Sequence, residues 1–346
     1  MSPSRSPYWD NWKGLAIIAV VTIHATWATE LFPPHSFNWQ FGIWLRQLVN
    51  FAVPMFLALA GYFAAGARDM SAREYYDRRI WRILAPYAVW TLIYLAIRTP
   101  GTLPSTHEIV RGFLFGTGIG IGYFVVVLLQ FVAITPSLTR PKSIRTHITI
   151  ICVATIVGLA FSYHIRLQPS GFFSTFPGNS LIFLFWYPFY HVGLLIRLRG
   201  FDTVLQTTKP ALLWSLLILT LTFSLLEGYF WANRGHYEIG VEQIKASSFA
   251  ASLVLILIAV SYAGGRSRLD GESWLTFLGR NSYAIYLIHL LPMSLFRAWV
   301  GRSGPLFEVQ PAYIGVAVLV ALASCAAFIL GARKVFSDRL SRIILG

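Results

Sequence analysis

Ten runs of mostly apolar residues, each close to the length of a membrane crossing, dominate this sequence, at about 13–31, 43–66, 80–98, 119–138, 147–163, 180–198, 210–231, 247–264, 280–299 and 312–332. A helix needs roughly 20 apolar residues to span the hydrocarbon core. In lipid, every backbone polar group must be satisfied within the spanning structure. The runs therefore predict an all-α polytopic membrane protein of about ten transmembrane helices. Hydrophobic residues make up 56% of the 346 and charged ones 12%, about half the charged share of a soluble domain. That balance excludes a soluble enzyme, a disordered chain and a disulfide scaffold. No long polar insertion separates the runs, so a single transmembrane domain is expected over 1–346. The fourth run, with Gly116, Gly118, Gly120 and Gly122, and the ninth, interrupted by Pro292, are the least regular. The first follows a basic start, as a signal peptide does. It lacks a small-x-small cleavage pattern before Glu30 and carries His24, so it reads as a retained helix.

The charge is lopsided, with 28 Lys and Arg against 14 Asp and Glu, a net of +14. Placing the N-terminus and every second loop on one side collects 20 of the 28 there, among them Arg5, Lys13, Arg79, Arg82, Lys142, Arg266, Arg268 and Arg280. Positive charge favours the cytoplasmic side, so both termini are expected there. Topology accounts for the basic excess, and no nucleic-acid partner is needed to explain it. Cys152 and Cys325 lie in apolar runs and read as small apolar fillers. CxxC, HExxH, Walker and GxGxxG patterns are lacking, and no metal site is expected.

Ionisable groups inside spans are costly and therefore mark candidate functional positions. Lys13 and His24 are eleven residues apart in the first span. At 100° per residue they fall within about 20° of one another on a helix face, and about 16 Å apart along its axis. A cation at the cytoplasmic mouth and an imidazole deep in the membrane thus share one interior face. Taken alone, the pair also fits a snorkelling lysine and a histidine bonded to a neighbouring helix. Arg79 and Arg82, spaced i,i+3, share a face at the inner surface, where paired guanidinium groups suit a polyphosphate. Ordinary positive-inside anchoring is the other reading of that pair. Glu227, His191 and His289 also lie within spans. Glu227 and His289 are the candidate acid/base partners of His24. Glu227 also suits an ion pair with Arg234 or His236, and His289 helix packing. His191 reads equally as a core hydrogen-bonder, while Glu30 and Arg46 belong to the outer interface. The segments Gln168 to Asn179 and Asn233 to Lys245 mix aromatic, amide and charged groups, as sugar-binding surfaces do.

With these residues in place, the sequence resembles the acyltransferase-3 family of integral-membrane carbohydrate O-acyltransferases along nearly its whole length. The most specific element is a basic residue, ten intervening residues and a histidine in the first helix, matched by Lys13 and His24. Lysine in place of the commoner arginine resembles the branch of fucose 4-O-acetylase, and keeps the charge without the guanidinium fork. Pro54-Met55-Phe56 with Ala60-Gly61-Tyr62, the Arg79/Arg82 pair before Pro86-Tyr87, and Ser282-Tyr283, Tyr286-Leu287 and His289 match in the same order. The resemblance implies an acyl-CoA donor, usually acetyl-CoA, used from the cytoplasm, with a sugar hydroxyl on an envelope glycan or lipid-linked sugar as acceptor. It implies that Lys13, Arg79 and Arg82 hold the donor's phosphates. His24 would act as general base or as transient acyl acceptor, in the inner membrane of a bacterial envelope. The alternative is a polysaccharide or small-molecule transporter with a buried His, Glu and Arg pathway. An internal repeat with paired broken helices would favour it, and the two halves of the sequence show no convincing similarity.

Overall fold

The computed structural model describes residues 6–140, 143–263, 273–302 and 304–346. Among them the regular elements are helices, with no strand. Arg5, Lys142, Arg266 and Arg268 of the charge tally lie outside the described residues. Contacts gather the chain into two compact units, Met1–Phe56 with Gly200–Phe328, and Leu57–Arg199 with Ile329–Gly346.

Six helices among the described residues are long and apolar enough to cross a membrane: Pro7–Leu31, Phe37–Asp69, Ala72–Arg98, Ile144–Leu167, Pro210–Ala232 and Gln310–Val335. A seventh is counted if Ser282–Ile288 and Leu290–Val300, which meet at a 42° bend, form one crossing. The full ten spans read from the sequence are thus not reached by length. Three of the runs yield shorter helices: the apolar Tyr123–Leu138 and Ala246–Ser261, and Tyr187–Arg199. The glycine-rich stretch explains the first of these, since Gly116 and Gly120 take φ of +70° and +82° and stop a helix from starting before Tyr123. Pro292 explains the bend, because it offers no N–H to the Ile288 carbonyl one turn earlier.

In the first unit, Pro7–Ala25 lies along the short helix Trp274–Arg280. Glycine permits this on both sides. A Cβ on Gly279 would stand 1.7 Å from the Asp10 carbonyl oxygen, and one on Gly14 2.3 Å from the Leu275 carbonyl oxygen. Beyond Ala25 the helix tightens into a 3-10 turn, Thr26–Leu31. Around this junction threonine hydroxyls donate to carbonyls one turn back, Thr22 to Ile18 at 2.9 Å, Thr26 to Ile23 at 2.7 Å and Thr29 to Thr26 at 2.8 Å. Back-bonding of this kind bends helices, and it places His24 at the end of the regular segment.

The second unit is built on Ala72–Arg98, capped by the Ser71 hydroxyl, and on the packing of Ile144–Leu167 with Tyr187–Arg199. Its core includes Phe131 stacked on Tyr190 at 4.7 Å between ring centroids.

Candidate active site

The helix Pro7–Ala25 is continuous from Lys13 to His24, so their common face follows from helix geometry. Lys13 Nζ lies 3.1 Å from Asp10 Oδ1, and Arg280 Nε 3.4 Å from Asp10 Oδ2. One buried carboxylate therefore anchors two cations. The close approach of Gly14 and Gly279 delivers Arg280 to it. Asp10 thus orients Lys13 and leaves the cluster net positive.

At the other end of that helix, the His24 and His289 rings lie 5.3 Å apart between centroids. His289 is fully buried, at 0% exposure. Its Nδ1 lies 3.0 Å from the Ile285 carbonyl oxygen and 2.9 Å from that of Tyr286. A carbonyl can only accept, so Nδ1 carries the proton and donates. In the neutral ring Nε2 is then a lone-pair acceptor, and it has no hydrogen-bond partner among the described residues. The local cause is the bend at His289, whose position at the break lets its ring turn back on the last carbonyls of Ser282–Ile288.

Arg297, from Leu290–Val300, completes this end of the site. Its Nη2 donates to the His24 carbonyl, one of the last carbonyls before the 3-10 turn, and lies 3.3 Å from Met293 Sδ. Its guanidinium carbon is 4.8 Å from the centre of the Trp27 ring, and that of exposed Arg302 is 5.2 Å from the same ring. The Tyr313 hydroxyl faces the Arg297 guanidinium. Arg297 Nε and Trp27 Nε1 are buried without a hydrogen-bond partner among the described residues.

Glu227, also in the first unit, is held by Ser247. Its Oε2 accepts from the Ser247 backbone N–H at 2.9 Å and from the Ser247 hydroxyl. The expected partners of Glu227 pair differently: His236 lies 3.5 Å from Glu238, and Arg234 covers the Phe230 ring at 3.7 Å. Beside Ser247, Lys245 is 1% exposed. It donates to the hydroxyls of Ser224 and Ser248, both at 2.6 Å, and to the Ser224 carbonyl at 3.0 Å. Burial pushes its ammonium down to about 7, with the nearby Glu227 carboxylate opposing that shift.

In the second unit, Arg79 and Arg82 share the helix Ala72–Arg98, as their spacing implies. Arg79 Nη2 donates to the Phe63 carbonyl at 3.0 Å, and its guanidinium lies 5.6 Å from the Tyr75 ring centre. Arg82 is exposed. His191 is indeed a core hydrogen-bonder, with Nε2 2.8 Å from Nδ1 of His147 and both rings buried.

The structure therefore brings His24 and His289 together, gives Lys13 a carboxylate, and ties Glu227 to Ser247. Arg297 carries a signal in the sequence as well, since an arginine inside the ninth run is as costly in lipid as a histidine. No sequence signal distinguished Lys245, which looks like any lysine in a polar loop until three serines surround it.

These features define a multi-pass membrane protein whose first unit holds an imidazole pair beside a guanidinium. The chain belongs to the acyltransferase-3 family: the family model, described as an acyltransferase domain, matches residues 6–330. It is, at that level, a membrane acyltransferase. No curated protein and no solved structure matches it.

Proposed function

We propose that this protein moves an acyl group, in the first instance acetyl, from a cytoplasmic acyl-CoA to a hydroxyl of an envelope glycan or lipid-linked sugar in the inner membrane. Contact with the phosphates of the donor is the role assigned to Lys13 and, separately, to Arg79 and Arg82. Arginine forks suit phosphate oxygens, and the lysine adds a point charge held by Asp10. His24 takes the proton of the acceptor hydroxyl as that oxygen attacks the thioester carbon. His289 acts on His24 rather than on the substrate. Its open Nε2 lone pair is the acceptor for the single N–H of the neutral His24 imidazole once substrate is bound, which orients the His24 ring for proton transfer.

The observation that carries this reading is the His24–His289 pair, with His289 held in one tautomer by two carbonyls. A helix-packing histidine needs one such bond. Two carbonyls on Nδ1 and a buried acceptor left open on Nε2 describe a group prepared for a partner. The family membership supports acyl transfer as the reaction class.

The reading is tested with purified protein in mild detergent and radiolabelled acetyl-CoA. Expected are saturable binding of acetyl-CoA and release of free CoA. Protein that is folded yet neither binds nor consumes any acyl-CoA contradicts it.

A further inference from the structure

Arg297 poses a physical problem. A guanidinium inside the membrane-spanning part of a protein is expensive unless a negative or strongly polar group answers it. Among the described residues no ion pair is formed by Arg297. Its contacts are the His24 carbonyl, a thioether sulfur, the Tyr313 hydroxyl and the face of Trp27. These hold the guanidinium in place and leave Nε–H a buried donor without a partner among the described residues. The group is fixed to the backbone of the very residue that carries the catalytic imidazole, so guanidinium and imidazole keep a set spacing.

We infer that Arg297 is a catalytic residue whose Nε–H stabilises the oxyanion formed during acyl transfer. This rests on the acyl-transfer reading above. As the acceptor oxygen bonds to the thioester carbon, its proton passes to His24. The carbonyl π pair moves onto the carbonyl oxygen, which becomes negative beside the guanidinium. Collapse restores the C=O bond, breaks the C–S bond and expels the CoA thiolate, which takes the proton back from His24. Charge thus appears on the oxygen only between the two steps, and a preorganised donor at that position acts on the transition state. The contact with the His24 carbonyl is what preorganises it, since a guanidinium that bridges backbone and substrate cannot drift as the reaction proceeds.

The test uses the full-length protein with labelled acetyl-CoA, read in two ways. One is hydrolysis by purified protein, where water is the acceptor. The other is transfer in sealed vesicles of the native membrane, which contain the natural acceptor. Arg297→Gln and Arg297→Lys are compared with wild type, with thermal melting as the folding control. Loss of one oxyanion donor costs about 100-fold to 1,000-fold in kcat. Both variants should show such a loss in both assays, with the acetyl-CoA Kd within threefold of wild type. Added guanidinium ion should partly restore Arg297→Ala. A loss confined to transfer, with hydrolysis intact, would mean that Arg297 binds an anionic acceptor and would overturn the oxyanion role. Variants that keep kcat within threefold of wild type overturn it as well. Wild-type protein that fails to bind or consume acetyl-CoA rejects the underlying reaction, a result distinct from either.

Discussion

The His24 and His289 rings lie 5.3 Å apart, centroid to centroid, and Nε2 of His289 is buried with no hydrogen-bond partner among the described residues. The two histidines are not equivalent. Two carbonyls fix the tautomer of His289, while His24 is half-buried at the end of its helix.

That asymmetry predicts unequal effects. Replacing a general base costs about 100-fold to 10,000-fold in rate. His24→Gln should fall in the upper part of that range. His289→Gln, whose amide oxygen can still accept from His24, should lose about tenfold to 100-fold. Equal loss in both, measured as kcat under saturating acetyl-CoA, would assign the base to the pair as a unit.

Arg82 is exposed, and Arg79 already holds the Phe63 carbonyl. A charge-assisted contact to phosphate is worth roughly 1.5–3 kcal/mol. Arg82→Ala is expected to raise the acetyl-CoA Kd by about tenfold while leaving the melting temperature unchanged. Arg79→Ala should weaken binding and also lower the melting temperature. Titration calorimetry with a non-hydrolysable acetyl-CoA analogue reads the first effect, and rising salt should diminish it.

The approach of Pro7–Ala25 to Trp274–Arg280 depends on the missing Cβ at Gly279, which would stand 1.7 Å from a carbonyl oxygen. Gly279→Ala should destabilise the protein by about 2–3 kcal/mol through overpacking, and should weaken the Lys13–Asp10–Arg280 cluster. Gly315→Ala is the control, because nothing lies within 4 Å of its added Cβ. Helical alanine there should be neutral or stabilising by up to about 1 kcal/mol. Unfolding curves in mild detergent distinguish the two.

Lys245 gives a pH signature. Its folded pKa, about 7, lies below the ordinary value of 10.5. The unfolded chain therefore binds more protons than the folded one between those values, and stability should rise with pH across that window. Below about pH 7 the ammonium is protonated in both states and contributes no further slope. Lys245→Met should flatten the rise in unfolding free energy that wild type shows from neutral to alkaline pH.

The sequence made the helical membrane class legible because apolar runs of crossing length leave few alternatives. It also placed Lys13 and His24 on one face, since helix periodicity alone decides that. Span length was less legible. Tyr123–Leu138 stops short because Gly116 and Gly120 adopt positive φ, and the ninth run bends because Pro292 withholds an N–H, effects that hydropathy does not register. His289 was nominated by its cost in lipid, but its tautomer emerged only with the fold. The contact between Glu227 and Ser247 is not legible in the sequence, because the serine that donates to the carboxylate carries no charge by which to be noticed. Lys245 is legible only in three dimensions, because its acceptors come from two helices.

The most direct test of acyl transfer through His24 is the rate at which label from acetyl-CoA enters acid-stable glycan or lipid in sealed native-membrane vesicles, comparing wild type with His24→Ala. The account predicts a loss of about 1,000-fold or more, with His24→Ala still binding acetyl-CoA within threefold of wild type. A His24→Ala protein that transfers label at a third or more of the wild-type rate contradicts it.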